Sequence, residues 1–309
     1  MVTKTETVVA FLLVCGLASL AGAAFTPHNS QSQTDIQKTI AELRSTDPMR
    51  REAAACELKK MGADATPAIP ALIGLLGDNS AIDKAKSCRQ SHFGNIGVVE
   101  YSPAAAAVDA LIAIGNPIVS PVLDSLRSDQ WLVRRNAVRI LGFRTDTRAI
   151  DPLIAALKDD AWQVRSEAAT ALGNYKESRA VGALITALAD QNWEVRSGAA
   201  VSLANYKDER AVAPLIAATK DEAWQVRADA VACLAHIKDS RAIEPLIAAL
   251  RDQVWQVRME AAVGLAHAGD ERAIQPLTVA LQDENAGVRR EAQSALEQIS
   301  HRTRTANRG

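Results

Sequence analysis

The residues with the most regular spacing are also the ones best suited to binding. All five tryptophans of the chain recur at intervals of 31 positions, as Trp131, Trp162, Trp193, Trp224 and Trp255, with Ala286 next in the series. An exposed tryptophan presents a large, rigid ring that anchors protein partners. A tryptophan in the first turn of a helix can instead fold over the preceding turn and seal two structural units together. The spacing therefore predicts a binding surface, a seal between repeated units, or both.

Residues that could catalyse a reaction are confined to one irregular segment, residues 79–101. Asp83, Cys88, His92 and Glu100 lie there, but their spacing is weak evidence for a nucleophile, and Cys88 with His92 supplies too few ligands for zinc. The sequence also lacks a Gly-x-Ser-x-Gly turn, a His-Glu-x-x-His motif, a phosphate loop and a dinucleotide fingerprint. We therefore predict no catalytic residues and no cofactor, and we expect this segment to contact a partner.

A second possible site lies at another position of the 31-residue period, which holds Asn174, Asn205, His236 and His267. Histidines on adjacent units could approach each other, but two imidazoles alone rarely complete a metal site. The asparagines in the same register favour a ladder of side chains that bond to loop carbonyls. We therefore predict no metal here and assign these four residues to the binding surface.

Two apolar stripes in every 31-residue unit indicate the elements that must position these residues. The stripe from Ile150 to Leu157 has the spacing of one helical face, and so does the stripe from Val164 to Leu172. Neither helix is long enough to be stable alone, so the pairs must stack. The sequence predicts an all-α fold, an α-solenoid of about eight two-helix repeats over residues 34–300, with an insertion loop at about 79–101.

Charged residues keep the same period beside the apolar stripes. Asp159 precedes Arg165 by six residues, and a charge beside the core needs a partner. We therefore predict pairing between neighbouring units, with bonds to turn carbonyls, in preference to an anion-binding stripe. The same spacing recurs in Asp190 with Arg196, Asp221 with Arg227, and Asp252 with Arg258.

The Asp column with its following Val-Arg, and a proline in most first helices, resemble HEAT repeats. The short period and the Ala-Ala-x-x-Leu-Gly ending are similar to the phycobilisome-lyase-type HEAT-like family in particular. That resemblance implies second helices that line a concave surface, and either an interaction scaffold or a bilin lyase. Another HEAT-repeat enzyme, deoxyhypusine hydroxylase, holds iron with His-Glu pairs, and no His-Glu dipeptide occurs here.

Helical geometry places the tryptophans on that concave surface. At 100° per residue, Trp162, Ser166 and Thr170 lie opposite the buried arc around Val164. A row of rings beside small side chains is typical of a protein-binding groove. We predict a non-catalytic scaffold that binds a protein or peptide. The alternative is a bilin-lyase-like enzyme, or enzyme subunit, that binds a flat cofactor.

Composition and charge restrict the class of partner. Hydrophobic residues make up 48% of the 309-residue chain, few of them aromatic, as expected for packed helices. Thirty-five basic residues against thirty-six acidic ones give a formal charge of −1. No basic excess exists to neutralise a phosphate backbone, so nucleic acid is not expected as a partner.

The N-terminal residues differ from the repeats. Lys4 precedes an apolar run over residues 8–20, and Ala21 and Ala23 follow at Ala-x-Ala spacing. This pattern predicts a cleaved signal peptide over 1–23, followed by a linker over 24–33. We expect an exported protein, periplasmic or secreted, without stable membrane insertion. An uncleaved N-terminal anchor is the alternative.

Export would leave Cys56, Cys88 and Cys233 in the mature chain. An oxidising compartment permits a disulfide, and Cys56 and Cys88 are the nearer pair. Three unpaired cysteines are the alternative. At the other end, residues 301–309 lack apolar spacing and are predicted to form a disordered basic tail.

Overall fold

The computed structural model describes residues 27–88, 101–237 and 239–306. The regular secondary structure of these residues is entirely helical, with no strand among them, which confirms the predicted α-solenoid. The predicted signal peptide lies outside the described residues. None of the described helices is long and apolar enough to cross a membrane.

Eight helix pairs follow one another along the described chain. The first pair is α1 (Pro27–Glu42) with α2 (Pro48–Met61), and the second is α3 (Ile69–Gly74) with α4 (Pro103–Ile114). The other pairs are α5 (Val119–Ser125) with α6 (Trp131–Arg144), α7 (Ile150–Ala156) with α8 (Trp162–Leu172), α9 (Arg179–Ala187) with α10 (Trp193–Ala204), α11 (Val212–Ala218) with α12 (Trp224–Ile237), α13 (Ile243–Ala249) with α14 (Trp255–Ala268), and α15 (Ile274–Ala280) with α16 (Ala286–Ala306).

Aspartates define the turns within and between the pairs. Asp146 caps a short 3-10 turn ahead of α7 by accepting a hydrogen bond from the Arg148 N–H at 3.0 Å. After α7, Asp159 accepts from the Ala161 N–H at 2.9 Å, which directs the chain into α8. An aspartate that bonds the backbone two residues ahead is a common turn former. Hydrogen bonds to these aspartates thus fix the turn before each helix of the repeat.

The second helices form one tightly packed layer. They contact their neighbours far more extensively than the first helices do, and small residues permit the close approach. A Cβ added to Gly142 would lie 2.8 Å from the Ala171 Cβ, and one added to Gly173 would lie 2.6 Å from the Ser202 Oγ. We call the face of this layer that lies away from the first helices the inner surface. The core lies between the two layers.

A disulfide joins the start of the predicted insertion to the solenoid. Cys56 on α2 is bonded to Cys88, with their Cα atoms 6.5 Å apart, and the Ser87 hydroxyl bonds to the buried Glu52 carboxylate at 2.5 Å. Residues 79–88 contain no helix; the rest of the predicted insertion lies outside the described residues except at Tyr101. Cys233 is a free, buried thiol.

Both predicted terminal segments are more helical than expected. The linker predicted over 24–33 is helical from Pro27, because α1 packs Ile36 against the following helices as the first repeat. The tail predicted over 301–309 is helical as far as Ala306. There the Arg302 guanidinium donates to the His267 carbonyl at 3.1 Å, which ties the end of α16 to α14.

Candidate partner-binding surface

Each tryptophan is the first residue of a second helix, after a residue with extended backbone such as Ala161. Their rings therefore recur at one end of the inner layer. Four of them remain well exposed, with 41% for Trp131, 39% for Trp193, 36% for Trp224 and 40% for Trp255. Trp162 is more buried and packs against the core. The row thus contains one ring placed as a seal and four available to a partner.

Small side chains lie beside the rings. Ser166 and Thr170 are on the same face of α8 as Trp162, and Thr170 is exposed. The Ser166 hydroxyl donates to the Glu194 carbonyl of the next repeat at 3.3 Å, and the Thr170 hydroxyl bonds to its own helix. Neither side chain projects far, so the surface beside the rings stays open.

The predicted asparagines join neighbouring second helices. The Asn174 amide donates to the Gly142 carbonyl and the Asn205 amide to the Gly173 carbonyl, each at 3.2 Å. These carbonyls belong to the last turn of the preceding helix, where no helical partner is available. Both side chains are exposed, but one of their functions is to tie the repeats together.

Two tyrosines that were not predicted from the sequence also join neighbouring second helices. The Tyr175 hydroxyl donates to the Leu141 carbonyl at 2.7 Å, and the Tyr206 hydroxyl donates to the Leu172 carbonyl at 2.6 Å. Burial raises the pKa of both phenols to about 12, so they stay protonated donors. Their 31-residue spacing was the signal that could have found them.

The two predicted histidines lie close together on adjacent repeats, with their rings tilted against each other. The His236 and His267 rings lie with centroids 5.9 Å apart and planes inclined by 57°, and the His236 Nδ1 bonds to the Ala232 carbonyl at 2.8 Å. Among the described residues the one group of three potential metal ligands close together is Glu52, Cys56 and Cys88. Its two sulfurs are already joined to each other, which leaves no set of free ligands there.

The charged columns form a continuous ladder of bridges. Arg165 donates to both Asp190 carboxylate oxygens, at 2.7 and 2.9 Å, and to the Asp159 carbonyl of its own repeat at 2.8 Å. Each arginine therefore links two repeats with bidentate geometry. The same arrangement joins Arg134 with Asp159, Arg196 with Asp221, Arg227 with Asp252, and Arg258 with Asp283.

A column of carboxylates, also missed from the sequence, follows the tryptophans along the inner layer. It comprises Glu167, Asp229, Glu260 and Glu291, with Gly198 in the second position, and every carboxylate is partly buried. Burial raises the pKa of Asp229, while the hydrogen bond from Ser197 lowers it. Burial and the charges of Asp229 and Glu291 raise the pKa of Glu260, against the influence of His236. The inner surface thus combines exposed rings with poorly solvated acids.

Paired helices repeated along the chain, and bridged to their neighbours by arginine and aspartate, define an α-solenoid repeat protein. The family described as HEAT repeats matches residues 100–164, 150–230 and 212–297. Because these ranges cover most of the chain, the protein belongs to the HEAT repeat family. No curated protein sequence matches the chain.

Several solved structures share the fold. The structure of Kap121p is 13% identical with a TM-score of 0.66, and the match covers 88% of this chain and 34% of that one. The X-ray structure of YIBA_ECOLI is 16% identical with a TM-score of 0.57, and the match covers 89% of this chain and 97% of that one. Human deoxyhypusine hydroxylase is 19% identical over 89% and 99%, but its TM-score of 0.39 is too low to support an argument. At such low sequence identity these structural similarities establish the fold and not the function.

Proposed function

We propose that this protein is an exported, non-catalytic scaffold that binds another protein or a peptide along the inner surface of its solenoid. The observation that carries the proposal is the set of four exposed rings in one layer, three of which, Trp193, Trp224 and Trp255, begin consecutive second helices. Exposed aromatic anchors surrounded by small side chains are characteristic of protein-binding surfaces. The HEAT-repeat fold suits such a scaffold, because stacked repeats present an extended continuous surface.

Site-specific photo-crosslinking tests where a partner binds. A crosslinking residue would be placed at the exposed inner positions Thr170 and Val201, or at the exposed first-helix positions Ala155 and Ala217 as controls. We expect adducts from envelope extract at the inner positions only. Adducts at the control positions alone would place the interface elsewhere and refute the inner-surface proposal.

A tryptophan variant tests whether the rings are the anchors. In Trp193→Ala/Trp224→Ala/Trp255→Ala we expect the inner-surface adducts to disappear while circular dichroism and the melting temperature show a folded solenoid. Undiminished adducts in a folded variant would show that the rings are not anchors.

A bilin-lyase-like protein that holds a flat cofactor is the alternative function, and it follows from the finer resemblance to phycobilisome-lyase-type repeats. The exposure of four rings favours an extended partner, because small flat ligands are usually enclosed on most sides. Visible absorbance of protein purified from its native host separates the two functions. A chromophore band would support the alternative.

The proposal of export rests on the N-terminal sequence and on the disulfide between Cys56 and Cys88, because disulfides persist mainly in oxidising compartments. N-terminal sequencing of the native protein should find a start near Ala23. A protein that retains Lys4 in the membrane fraction would support the uncleaved anchor instead.

A further inference from the structure

The interface between α6 and α8 contains a ring, two cations and a carboxylate. The Arg135 guanidinium lies 5.8 Å from the centre of the Trp131 ring, within the range of a cation–π interaction. One helical turn further on, the Arg139 Nη2 lies 3.1 Å from the Glu167 carboxylate of the next repeat. At this end of the inner layer the chain therefore supplies its own cations to an exposed ring and an acid.

Three later interfaces keep the ring and the acid but not the cations. After Trp193, the two arginine positions hold Ser197 and Val201, and the acid on the next helix is Asp229. The others follow the same order: Trp224 with Ala228, Ala232 and Glu260, then Trp255 with Met259, Val263 and Glu291. Small or apolar side chains thus occupy the places of Arg135 and Arg139, so these positions supply no cation to the ring or the acid.

The acids at these interfaces lack the bridge that Glu167 has. Asp229 accepts a hydrogen bond from Ser197 at 2.5 Å, and in the described parts of the chain no lysine or arginine forms an ion pair with Asp229 or Glu260. Glu291 forms an ion pair with its sequence neighbour Arg290, whose side chain is highly exposed. Partial burial of a carboxylate is unfavourable until a cation compensates it. An incoming guanidinium or ammonium group would supply that compensation.

We propose that the inner surface from Trp193 to α16 binds an extended, arginine- or lysine-rich segment of a partner protein. The proposal rests on the proposed function and defines the chemistry of its partner. Incoming cations would lie over a ring, as Arg135 does within the chain, or approach an acid, as Arg139 does. Packed helices lie about 8–10 Å apart, and an extended chain advances about 3.3 Å per residue. One basic residue in every three therefore matches one repeat.

Fluorescence anisotropy with labelled peptides tests this pattern on the full mature chain. The probes are (Arg-Gly-Ser)4, a peptide of the same composition with its four arginines consecutive, and (Glu-Gly-Ser)4. We expect the regularly spaced peptide to bind about tenfold more tightly than the clustered one, corresponding to about 1.4 kcal/mol. We expect no binding of the acidic peptide and weaker binding at high salt. Equal affinity for the two arginine peptides would refute the spacing, and absence of arginine-peptide binding would refute the proposal.

Matched variants locate the site. Asp229→Asn/Glu260→Gln should weaken binding of the spaced peptide at least about tenfold. Glu209→Gln/Glu244→Gln makes the same change in net charge at exposed positions, in the turn before α11 and in α13, and should have no effect. Equal losses in both variants would show that only net charge matters and would overturn the assignment of the site.

A second variant places arginines of the chain itself where the peptide's cations are proposed to bind. Ser197→Arg/Val201→Arg reproduces around Trp193 and Asp229 the arrangement seen at Trp131 and Glu167, and it should lower peptide affinity while leaving the melting temperature unchanged or raised. Ala213→Arg/Ala217→Arg, at two exposed positions of α11, adds the same two charges and is the control. Retained affinity in Ser197→Arg/Val201→Arg would contradict the proposal.

Competition separates this inference from the broader function. The spaced peptide should suppress crosslinks from Val201 to the native partner. If those crosslinks form and the peptide does not suppress them, the scaffold function stands and the cationic partner is wrong. If no inner-surface crosslink forms, the scaffold function itself fails.

Discussion

Arg227 and Asp252 face each other across a repeat boundary with two hydrogen bonds, Nε to Oδ2 at 2.7 Å and Nη2 to Oδ1 at 2.9 Å. The same guanidinium donates to the Asp221 carbonyl at 2.9 Å, so one side chain holds two repeats and a turn. Only 8% of the Arg227 side chain and 12% of the Asp252 side chain are exposed. Removal of either partner would leave a charge with little access to water.

Arg227→Ala should therefore lower the free energy of unfolding by about 3–5 kcal/mol, the usual cost of breaking a buried pair. Arg241→Ala is the matched control, because its bridge to Asp239 is largely exposed and its loss should leave stability nearly unchanged. Urea denaturation followed by circular dichroism measures both. Equal effects would show that the ladder stabilises no more than a surface ion pair.

The two kinds of aspartate should respond to pH in opposite directions. Burial acts to raise the pKa of Asp252, but bonds from Arg227 and the Val254 N–H and the charges of Arg227 and Arg258 outweigh it, so this pKa lies below its ordinary value of 3.8. Asp252 contributes its full stabilisation at pH values above the pKa that it has in the unfolded chain. This contribution is lost as the pH falls through the pKa that it has in the folded protein. The pKa of Asp229 lies above 3.8, chiefly through burial, so its contribution improves as pH falls through the folded pKa.

Asp252→Asn should consequently lower the free energy of unfolding by about 3 kcal/mol at pH 7. Below pH 4 the stability of this variant should fall less steeply than that of the wild type. Asp229→Asn should keep or gain stability at pH 7, because the amide removes a poorly solvated charge and can still accept the bond from Ser197. Urea unfolding from pH 7 to pH 3 distinguishes the variants. Parallel pH profiles for both variants would contradict the opposite directions of the two pKa shifts.

Reduction should weaken the N-terminal repeats. The Cys56–Cys88 disulfide spans a sequence separation of 32 residues, and closing a loop of this length stabilises by about 3–4 kcal/mol in the chain-entropy account. Hydrogen exchange should show faster opening of α2 after dithiothreitol or in Cys56→Ser/Cys88→Ser, with α12 unchanged. Burial and the Asp229 charge raise the pKa of Cys233 to about 12, so Cys233→Ala should leave the response to reductant intact. If α2 exchanged at the same rate with and without reductant, the disulfide would not stabilise it.

The fold was predictable because the same pair of apolar helical stripes recurs in successive 31-residue units. A single apolar stripe such as Ile150–Leu157 is weak evidence, but successive copies identified the helix pairs. The contact of Arg135 with Trp131 could not be predicted, because it depends on the directions of two side chains on one helix. The Tyr175 bond to Leu141 likewise requires the distance between adjacent helices. The helical start at Pro27 was missed because α1 lies outside the regular period.

The close approach of the second helices makes a final prediction about two glycines. Gly173 has helical backbone angles, so alanine would suit its conformation, but an added Cβ would lie 2.6 Å from the Ser202 Oγ and 3.2 Å from the Ser202 Cα. The hydroxyl can rotate, whereas the backbone of α10 must move. Gly173→Ala should therefore destabilise by about 1–3 kcal/mol, as overpacking usually does.

Gly182 is the matched control within a helix. It lies in α9, and an added Cβ would meet nothing within 4 Å, so Gly182→Ala should stabilise by about 0.5–1 kcal/mol through helix propensity alone. Thermal and urea unfolding give both values. Because the substitution is the same, opposite signs would isolate the packing of the second helices. Stabilisation by Gly173→Ala would instead show that the contact between α8 and α10 has room for an added methyl group.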